Sequence, residues 1–325
     1  MNFLITGGCG FIGSNFIRFI LKKYKDIRIV NLDKLTYCGN PDNLKGLERD
    51  ERYTFVKGDI CDEKLVLRLV RKTEVIVNFA AESHVDRSIK YPNDFMMTNF
   101  CGVKTILDTA KASKIKKFIQ IGTDEVYGSI KRGLSGEKDL LSPNSPYSAS
   151  KAAADLLALS YFNTYSLPVV ITRSSNNFGP FQYPEKLIPL FITNILNNEK
   201  VPLYGDGKNV RDWLFVEDNC RAIDLVIQKG KEGEIYNIGG GTQLANYDLT
   251  EKILKKMDKD KDSIEYVKDR PGHDRRYALD SSKIKKLGWK TGGNFDKRLE
   301  ETIKWYAKNK NWWRPLKERA EIIEW

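Results

Sequence analysis

Histidine is almost missing from this sequence. Only His84 and His273 occur in 325 residues, which leaves almost no material for a histidine-based metal site, and no metal is expected. Cysteine is sparse and scattered: Cys9, Cys38, Cys61, Cys101 and Cys220 share no paired, metal-type spacing. That pattern fits reduced thiols in a cytoplasmic protein. No apolar run approaches the ~20 residues that a membrane helix needs. The opening MNFLITGGCGFIG runs straight into a strand and a glycine turn, without the charged and apolar regions of a secretory start. Low-complexity tracts and internal repeats are lacking too. What is present is ordinary for a globular chain, 41% hydrophobic and 30% charged, and long enough to bury a large core and form two domains.

The net charge of +11 could attract nucleic acid or any polyanionic ligand. Much of the excess lies on solvated helix faces such as KKYKD, KASKIKK and EKILKKMDKDKD. The aromatic-basic tail WYAKNKNWWRPLKER is the one foothold for a nucleic-acid reading. Packing of a terminal helix is the reading preferred for it, so neither nucleic acid nor membrane is expected as a partner.

The first half alternates strand and helix signals, as a doubly wound α/β domain requires. NFLITGG is a short apolar run bounded by glycine, and GSNFIRFILKKY follows with Phe16, Ile17, Ile20 and Leu21 at helical spacing. IRIVNLD, YTFVKGD, VIVNFAA, KKFIQIGT and PVVITRS read as further strands, with helices near 62–72 and 95–113 and a long one through SPYSASKAAADLLALSYFNTY. Regularity breaks after residue 173: SSNNFGPFQYPEK reads as a loop, and KLIPLFITNILNN as a helix outside the pattern. NCRAIDLVIQKG and GEIYNIGG return a helix and a strand to the sheet. The expected architecture is a doubly wound parallel-sheet Rossmann domain, 1–172 plus 216–239, with a smaller α/β substrate domain, 173–215 plus 240–325.

TGGCGFIG sets Gly7, Gly10 and Gly13 between the first strand and the first helix, with Phe11 and Ile12 inside the run. Glycine lets the backbone approach a pyrophosphate, which then sits on the N–H groups at the positive end of the helix. Asp33 closes the second strand, where a carboxylate accepts from an adenosine ribose and repels a 2′-phosphate. The cofactor is therefore expected to be NAD rather than NADP, with Lys34 as the neighbouring countercharge.

PYSASKAAA carries Tyr147 and Lys151 four residues apart, about one helical turn and ~6 Å of rise, so they share a face. A free tyrosine has a pKa near ~10 and is a poor base at neutral pH. Bringing it to ~7 takes about 4 kcal/mol of differential stabilisation from a neighbouring ammonium and a positively charged nicotinamide ring. The lysine can also hold the nicotinamide ribose.

Together, the glycine spacing and the Tyr-x-x-x-Lys pair resemble the extended short-chain dehydrogenase/reductase family. The resemblance implies that Leu35 and Thr36 after Asp33, Asp59 and Ile60 of GDI, Phe79, Ala80, Ala81 and Ser83 of NFAAES, then Thr98 and Asn177, meet the cofactor beside Tyr147 and Lys151. Thr123 ends a strand at the carboxyl edge of the sheet, where ligands bind in open α/β folds, and Asp124 and Glu125 follow it. TDEVYG with YSASK resembles the dTDP-glucose 4,6-dehydratases, as do DKLTYCGN, AAESHVDRSI, SSNNFGP, PEKLIPL, RDWLFVED, YNIGGG and RPGHDRRYALD in order.

That resemblance implies a catalytic set of Thr123, Asp124, Glu125, Tyr147 and Lys151, with Tyr147 taking the carbon-4 hydroxyl proton, Glu125 the carbon-5 proton, and Asp124 protonating the departing carbon-6 hydroxyl. It implies a nucleotide-diphosphate sugar, dTDP-glucose, held by Ser83, Thr123, Asn176, Lys186, Leu187, Pro202, Tyr204, Arg211, Asn246, Arg270 and His273. Two departures, Gln182 where relatives carry histidine and the GGTQLANYDL segment before Asn246, are assigned to the substrate side and bear on nucleotide preference.

A nucleotide-sugar epimerase or decarboxylase would share the cradle and the Tyr–Lys pair without needing two adjacent carboxylates. A non-catalytic dinucleotide- or RNA-binding relative would have no use for Thr123, Tyr147 and Lys151 together. A homodimer is expected through helices near 95–113 and 149–165, whose apolar residues, among them Met96, Met97, Leu157 and Leu159, occupy more than one face.

Overall fold

The computed structural model describes residues 1–320 and 323. Among them, strands β1 to β12 run Asn2–Thr6, Arg28–Asp33, Tyr53–Lys57, Val75–Asn78, Lys117–Thr123, Val169–Ser174, Asn176–Phe178, Val201–Tyr204, Val210–Phe215, Ile235–Ile238, Gln243–Ala245 and Ile264–Val267. Seven form one parallel sheet in the order β10-β6-β5-β4-β1-β2-β3. The chain reverses direction across the sheet between β1 and β4, and that switch point opens a crevice at the carboxyl ends of the strands.

The central strands are apolar on both sides because helices cover both faces. One face packs helices Phe11–Lys23 and Val216–Lys229 through Phe16, Ile17, Ile20, Ile223 and Val226. The other packs Glu63–Val70, Val103–Lys111 and Pro146–Tyr165 through Val66, Ile106, Leu107, Ala154 and Ala158. A third apolar cluster gathers Phe178, Phe191, Trp213, Leu249, Tyr306 and Trp313 around the small sheet β11-β9-β7. Beside that cluster, β12 pairs with β8.

Two expectations change. The segment read as a loop contains β7, which pairs in parallel with β9; three residues are too few for a period-2 pattern to show in the sequence. The helix expected near 95–113 is built as Pro92–Met96, a π-helical turn Met97–Gly102, and Val103–Lys111. The wider turn holds Asn99 so that its amide donates to Ser150 Oγ at 2.9 Å and to the Glu82 carbonyl. Periodicity alone does not register such a local widening.

Candidate active site

The glycines of the turn are required by the chain's own close packing. Gly7 has φ +68°, and a Cβ there would lie 2.5 Å from Ala80 N; a Cβ on Gly13 would lie 2.5 Å from Gly7 O. Helix Phe11–Lys23 begins at Gly10 with no side-chain cap, so its first N–H groups face the crevice without a local acceptor. Asp33 is 8% exposed and already accepts from Cys9 N and Leu35 N, both at 2.8 Å. Burial raises its carboxyl while these bonds hold it down. Lys34 is tied to Asp59 at 2.8 Å, so its charge is already matched.

A cavity of about 270 Å³ runs along this edge. Gly7, Gly10, Phe11, Ile12, Gly13, Asp33, Lys34, Thr36, Asp59, Ile60, Phe79, Ala80, Ala81, Ser83, Thr98 and Asn177 line it, together with Thr123, Asp124, Glu125, Tyr147 and Lys151. Leu35 is the exception among the expected cofactor residues. Its φ of +59° turns the side chain away, to pack on the core instead.

Helix Pro146–Tyr165 presents the Tyr–Lys pair from its first turns. Ser145 caps Ser148 N, Ser148 Oγ returns to the Ser145 N–H, and Pro146 occupies the first helical position. Tyr147 and Lys151 are buried, and Phe95 meets Tyr147 edge-on at 6.2 Å. Their electrostatics are set first by the protein's own groups. Burial pushes the Tyr147 phenol above its ordinary value and Glu125 adds to this, opposed by a hydrogen bond from Thr123. Lys151 Nζ donates to the Ile121 carbonyl at 2.6 Å, and burial lowers its pKa, with Asp155 as the countercharge that raises it. The chain alone therefore keeps the phenol protonated, because burial disfavours the phenolate and Glu125 adds to the effect.

The two carboxylates occupy a single 3₁₀ turn, Asp124–Tyr127, capped by Thr123, whose Oγ1 accepts from Glu125 N at 3.3 Å. Asp124 is 3% exposed. Burial, then Glu125 and Asp212, push its pKa far above the usual carboxylate range. Burial also raises Glu125, but Arg270, Lys186 and Arg211 pull it back. Both are raised, but Asp124 further: it lies beside other carboxyls, whereas cations face Glu125 and oppose the effect of burial.

A second cavity, about 660 Å³, opens on the far side of Glu125. Asn176, Lys186, Leu187, Pro202, Tyr204, Arg211, Asn246, Arg270 and His273 all line it, whereas Ser83 and Thr123 line only the first. Glu125, Asn176, Glu185 and Lys186 line both and so mark the junction. Arg270 pairs with Asp86 at 3.0 Å, and Tyr204 donates to the other oxygen of the same carboxylate at 3.0 Å. Arg211 is held rigid by the Val210 and Asp274 carbonyls and stacks on Tyr277. Asn246 opens helix Asn246–Lys256 with its Oδ1 buried and unpartnered.

Gln182 lies elsewhere than expected. It lines the cofactor-side cavity, because its amide donates to the Asn177 carbonyl at 2.9 Å. The sequence reading missed His84, Asp86 and Glu185. His84 lines the second cavity with Nδ1 unpartnered, and burial among Lys186, Arg270 and Arg87 keeps it neutral. Its place between Ser83 and a helix start, as one of two histidines, was the available signal.

The family model described as GDP-mannose 4,6 dehydratase matches residues 4–302. The chain is 53% identical to the low-salt glycan biosynthesis protein Agl12 of Haloferax volcanii, over 94% of this chain and 98% of that one. It is 49% identical to a dTDP-glucose 4,6-dehydratase of Streptomyces niveus, over 99% and 97%. The crystal structure of the dTDP-glucose 4,6-dehydratase DesIV of Streptomyces venezuelae, solved with NAD bound, superposes with a TM-score of 0.96 at 48% identity, covering 97% of this chain and 100% of that one. UDP-glucose 4-epimerase of Thermotoga maritima is more distant, with a TM-score of 0.88 at 29% identity, covering 95% and 99%. The chain belongs to the GDP-mannose 4,6 dehydratase family.

Proposed function

We propose that this member of the family is a hydro-lyase that converts dTDP-glucose to its 4-keto-6-deoxy form, with NAD in the crevice beside β1 and the nucleotide in the larger cavity. Bound there, NAD supplies a hydride acceptor for carbon 4 and later returns the hydride to carbon 6, so no net redox change results. The glycine turn, Asp33 and the uncapped helix start hold it. Asp33 favours an unphosphorylated ribose, and Lys34, neutralised by Asp59, offers no free cation for a 2′-phosphate.

The protein's own residues divide the proton transfers. Tyr147, bridged to the sugar by Thr123, accepts the carbon-4 hydroxyl proton. Its phenol is raised in the protein alone, so it becomes a base when a positive charge comes to rest in the crevice beside it. A ketone at carbon 4 acidifies the proton on carbon 5, which Glu125 removes as a carboxylate supported by Arg270, Lys186 and Arg211. Asp124 delivers its proton to the carbon-6 hydroxyl, which leaves as water. When the hydride reaches carbon 6, a proton returns to carbon 5 from Glu125, which exchanges with solvent, and the proton held by Tyr147 restores Asp124.

The observation that carries this reading is the contrast between Asp124 and Glu125 on one turn. An epimerase returns its hydride to the same carbon and needs neither carboxylate. The reading also divides the chain into a cofactor domain, 1–172 with 216–239, and a substrate domain formed by the rest. It includes a cytoplasmic location, in keeping with the five unpaired cysteines and with the finding that no described helix is long and apolar enough to cross a membrane. A homodimer belongs to it too. Met96, Met97, Leu156 and Tyr165 are exposed on helices Pro92–Met96 through Pro146–Tyr165, whereas Leu157 and Leu159, expected on that face, pack on the protein's own core.

The test is incubation with dTDP-, UDP- and GDP-glucose followed by mass spectrometry. Loss of one water from dTDP-glucose is expected. Unchanged mass with altered carbon-4 configuration would favour the epimerase.

A further inference from the structure

The aromatic-basic tail is consumed by the fold, and its contacts lead to the cofactor. Helices Phe295–Lys308 and Lys310–Arg319 lie against the loop that follows β7. Phe181 on that loop has φ +68°, an unfavourable backbone state for a bulky residue that persists only where its surroundings over-determine it. Its ring is held by Trp305 at 4.8 Å, Trp312 at 5.8 Å and the Arg18 guanidinium at 5.2 Å. The next two residues, Gln182 and Tyr183, line the cofactor cavity. The Gln182 carbonyl accepts from Tyr306 Oη at 2.5 Å, and Tyr183 Oη donates to the Leu316 carbonyl at 3.3 Å.

A second line of contacts reaches the glycine turn itself. Trp312 Nε1 donates to Asn43 Oδ1 at 2.9 Å, and Asn43 Nδ2 donates to the Cys9 carbonyl at 2.9 Å. Cys9 N in turn donates to Asp33 at 2.8 Å. Asn43 is 1% exposed, so loss of the indole donor leaves its oxygen buried and unpaired. Neither Trp312 nor Asn43 lines either of the two cavities described above.

We infer that Trp312 is a positioning residue which, through Asn43 and Cys9 on one side and Phe181 on the other, latches both walls of the cofactor crevice and prolongs the residence of NAD. This rests on the NAD reading above. A reaction that takes and returns a hydride within one turnover has no need to exchange its cofactor and gains from holding it. The latch lies outside the reacting atoms, so it acts on cofactor release and not on the chemical steps.

The test uses the full chain. Trp312→Phe keeps a ring on Phe181 and removes only the N–H. NAD should bind about fivefold more weakly, the size expected for losing one neutral hydrogen bond, with correspondingly faster release in stopped-flow displacement. Turnover at saturating NAD should stay within about twofold of wild type, since a saturating ligand hides a pure binding loss. Asn43→Ala should weaken NAD more, and adding Trp312→Phe to it should cost nothing further, because both act through one chain of contacts. Wild-type NAD affinity in both single variants, multiplying effects in the double, or turnover falling in parallel at saturation would overturn the latch. A wild-type protein that does not bind NAD would overturn the functional reading and the latch with it.

Discussion

The Thr123 hydroxyl lies 3.3 Å from Asp124 Oδ1, while Oδ2 of the same carboxyl is buried with no hydrogen-bond partner. A buried carboxyl oxygen without a partner favours the protonated acid. Asp124 lines the crevice shared with Tyr147, which fits a group that waits with a proton for a leaving hydroxyl.

Asp124→Asn preserves shape and removes that proton. Oxidation at carbon 4 should continue, seen as enzyme-bound NADH, while water loss falls by ~10²-fold or more. In the wild type, elimination should decline on the alkaline side as Asp124 gives up its proton, at a pH well above the ordinary carboxylate range because the pKa is raised. That alkaline decline should vanish in the variant.

Glu125→Gln removes the base and leaves the acid. NADH should accumulate while dehydrated sugar falls by ~10²-fold or more. Stopped-flow nicotinamide absorbance distinguishes this block from a loss of binding. A Glu125→Gln enzyme that dehydrates at the wild-type rate would remove the mechanistic role of the pair.

Tyr147→Phe should stop the reaction earlier, with no NADH signal at all. In the wild type, solvent deuterium should enter carbon 5 and not carbon 6, since carbon 6 receives the returning hydride. NMR of the product in D₂O reads the position directly.

Arg270 has two neighbours that pull in different directions, Asp86 as its ion-pair partner and Glu125 as the carboxyl it depresses. Arg270→Met should raise KM for the nucleotide sugar about tenfold or more, as loss of a charge-assisted contact does. It should also move the acidic limb of elimination to higher pH. The sign follows because the cation favours ionised Glu125, so its removal raises the pKa and Glu125 becomes a base only at higher pH. An unmoved acidic limb would assign that limb to another group.

Leu156 is 57% exposed and Met97 55%, on helices whose other faces pack into the core. If the proposed dimer forms through this face, light scattering should give a dimer for the wild type and a monomer for Leu156→Glu with Met97→Lys, with NAD binding retained.

The sequence by itself determined the features that depend on local chemistry and short spacing. Gly7 and Gly13 announce a tight turn, Asp33 a strand-end carboxylate, Tyr147 and Lys151 one face of one helix turn, and Asp124 beside Glu125 two adjacent carboxyls at a strand end, whose division into acid and base only the family resemblance implied. Each is written within a few residues, so periodicity and steric argument suffice. Tertiary structure decided everything that depends on who stands opposite. Lys151 donates to the Ile121 carbonyl, and burial and Glu125 raise Tyr147 within the protein itself, because both act across the fold. Asp124 and Glu125 become different because Asp212 approaches one while Arg270 and Lys186 approach the other, from strands and loops distant in sequence. Gln182 turns to the cofactor side, and Trp312 joins Asn43, 269 positions away. Pairings across that distance leave no mark on local pattern, because desolvation and charge are set by the surroundings that folding assembles.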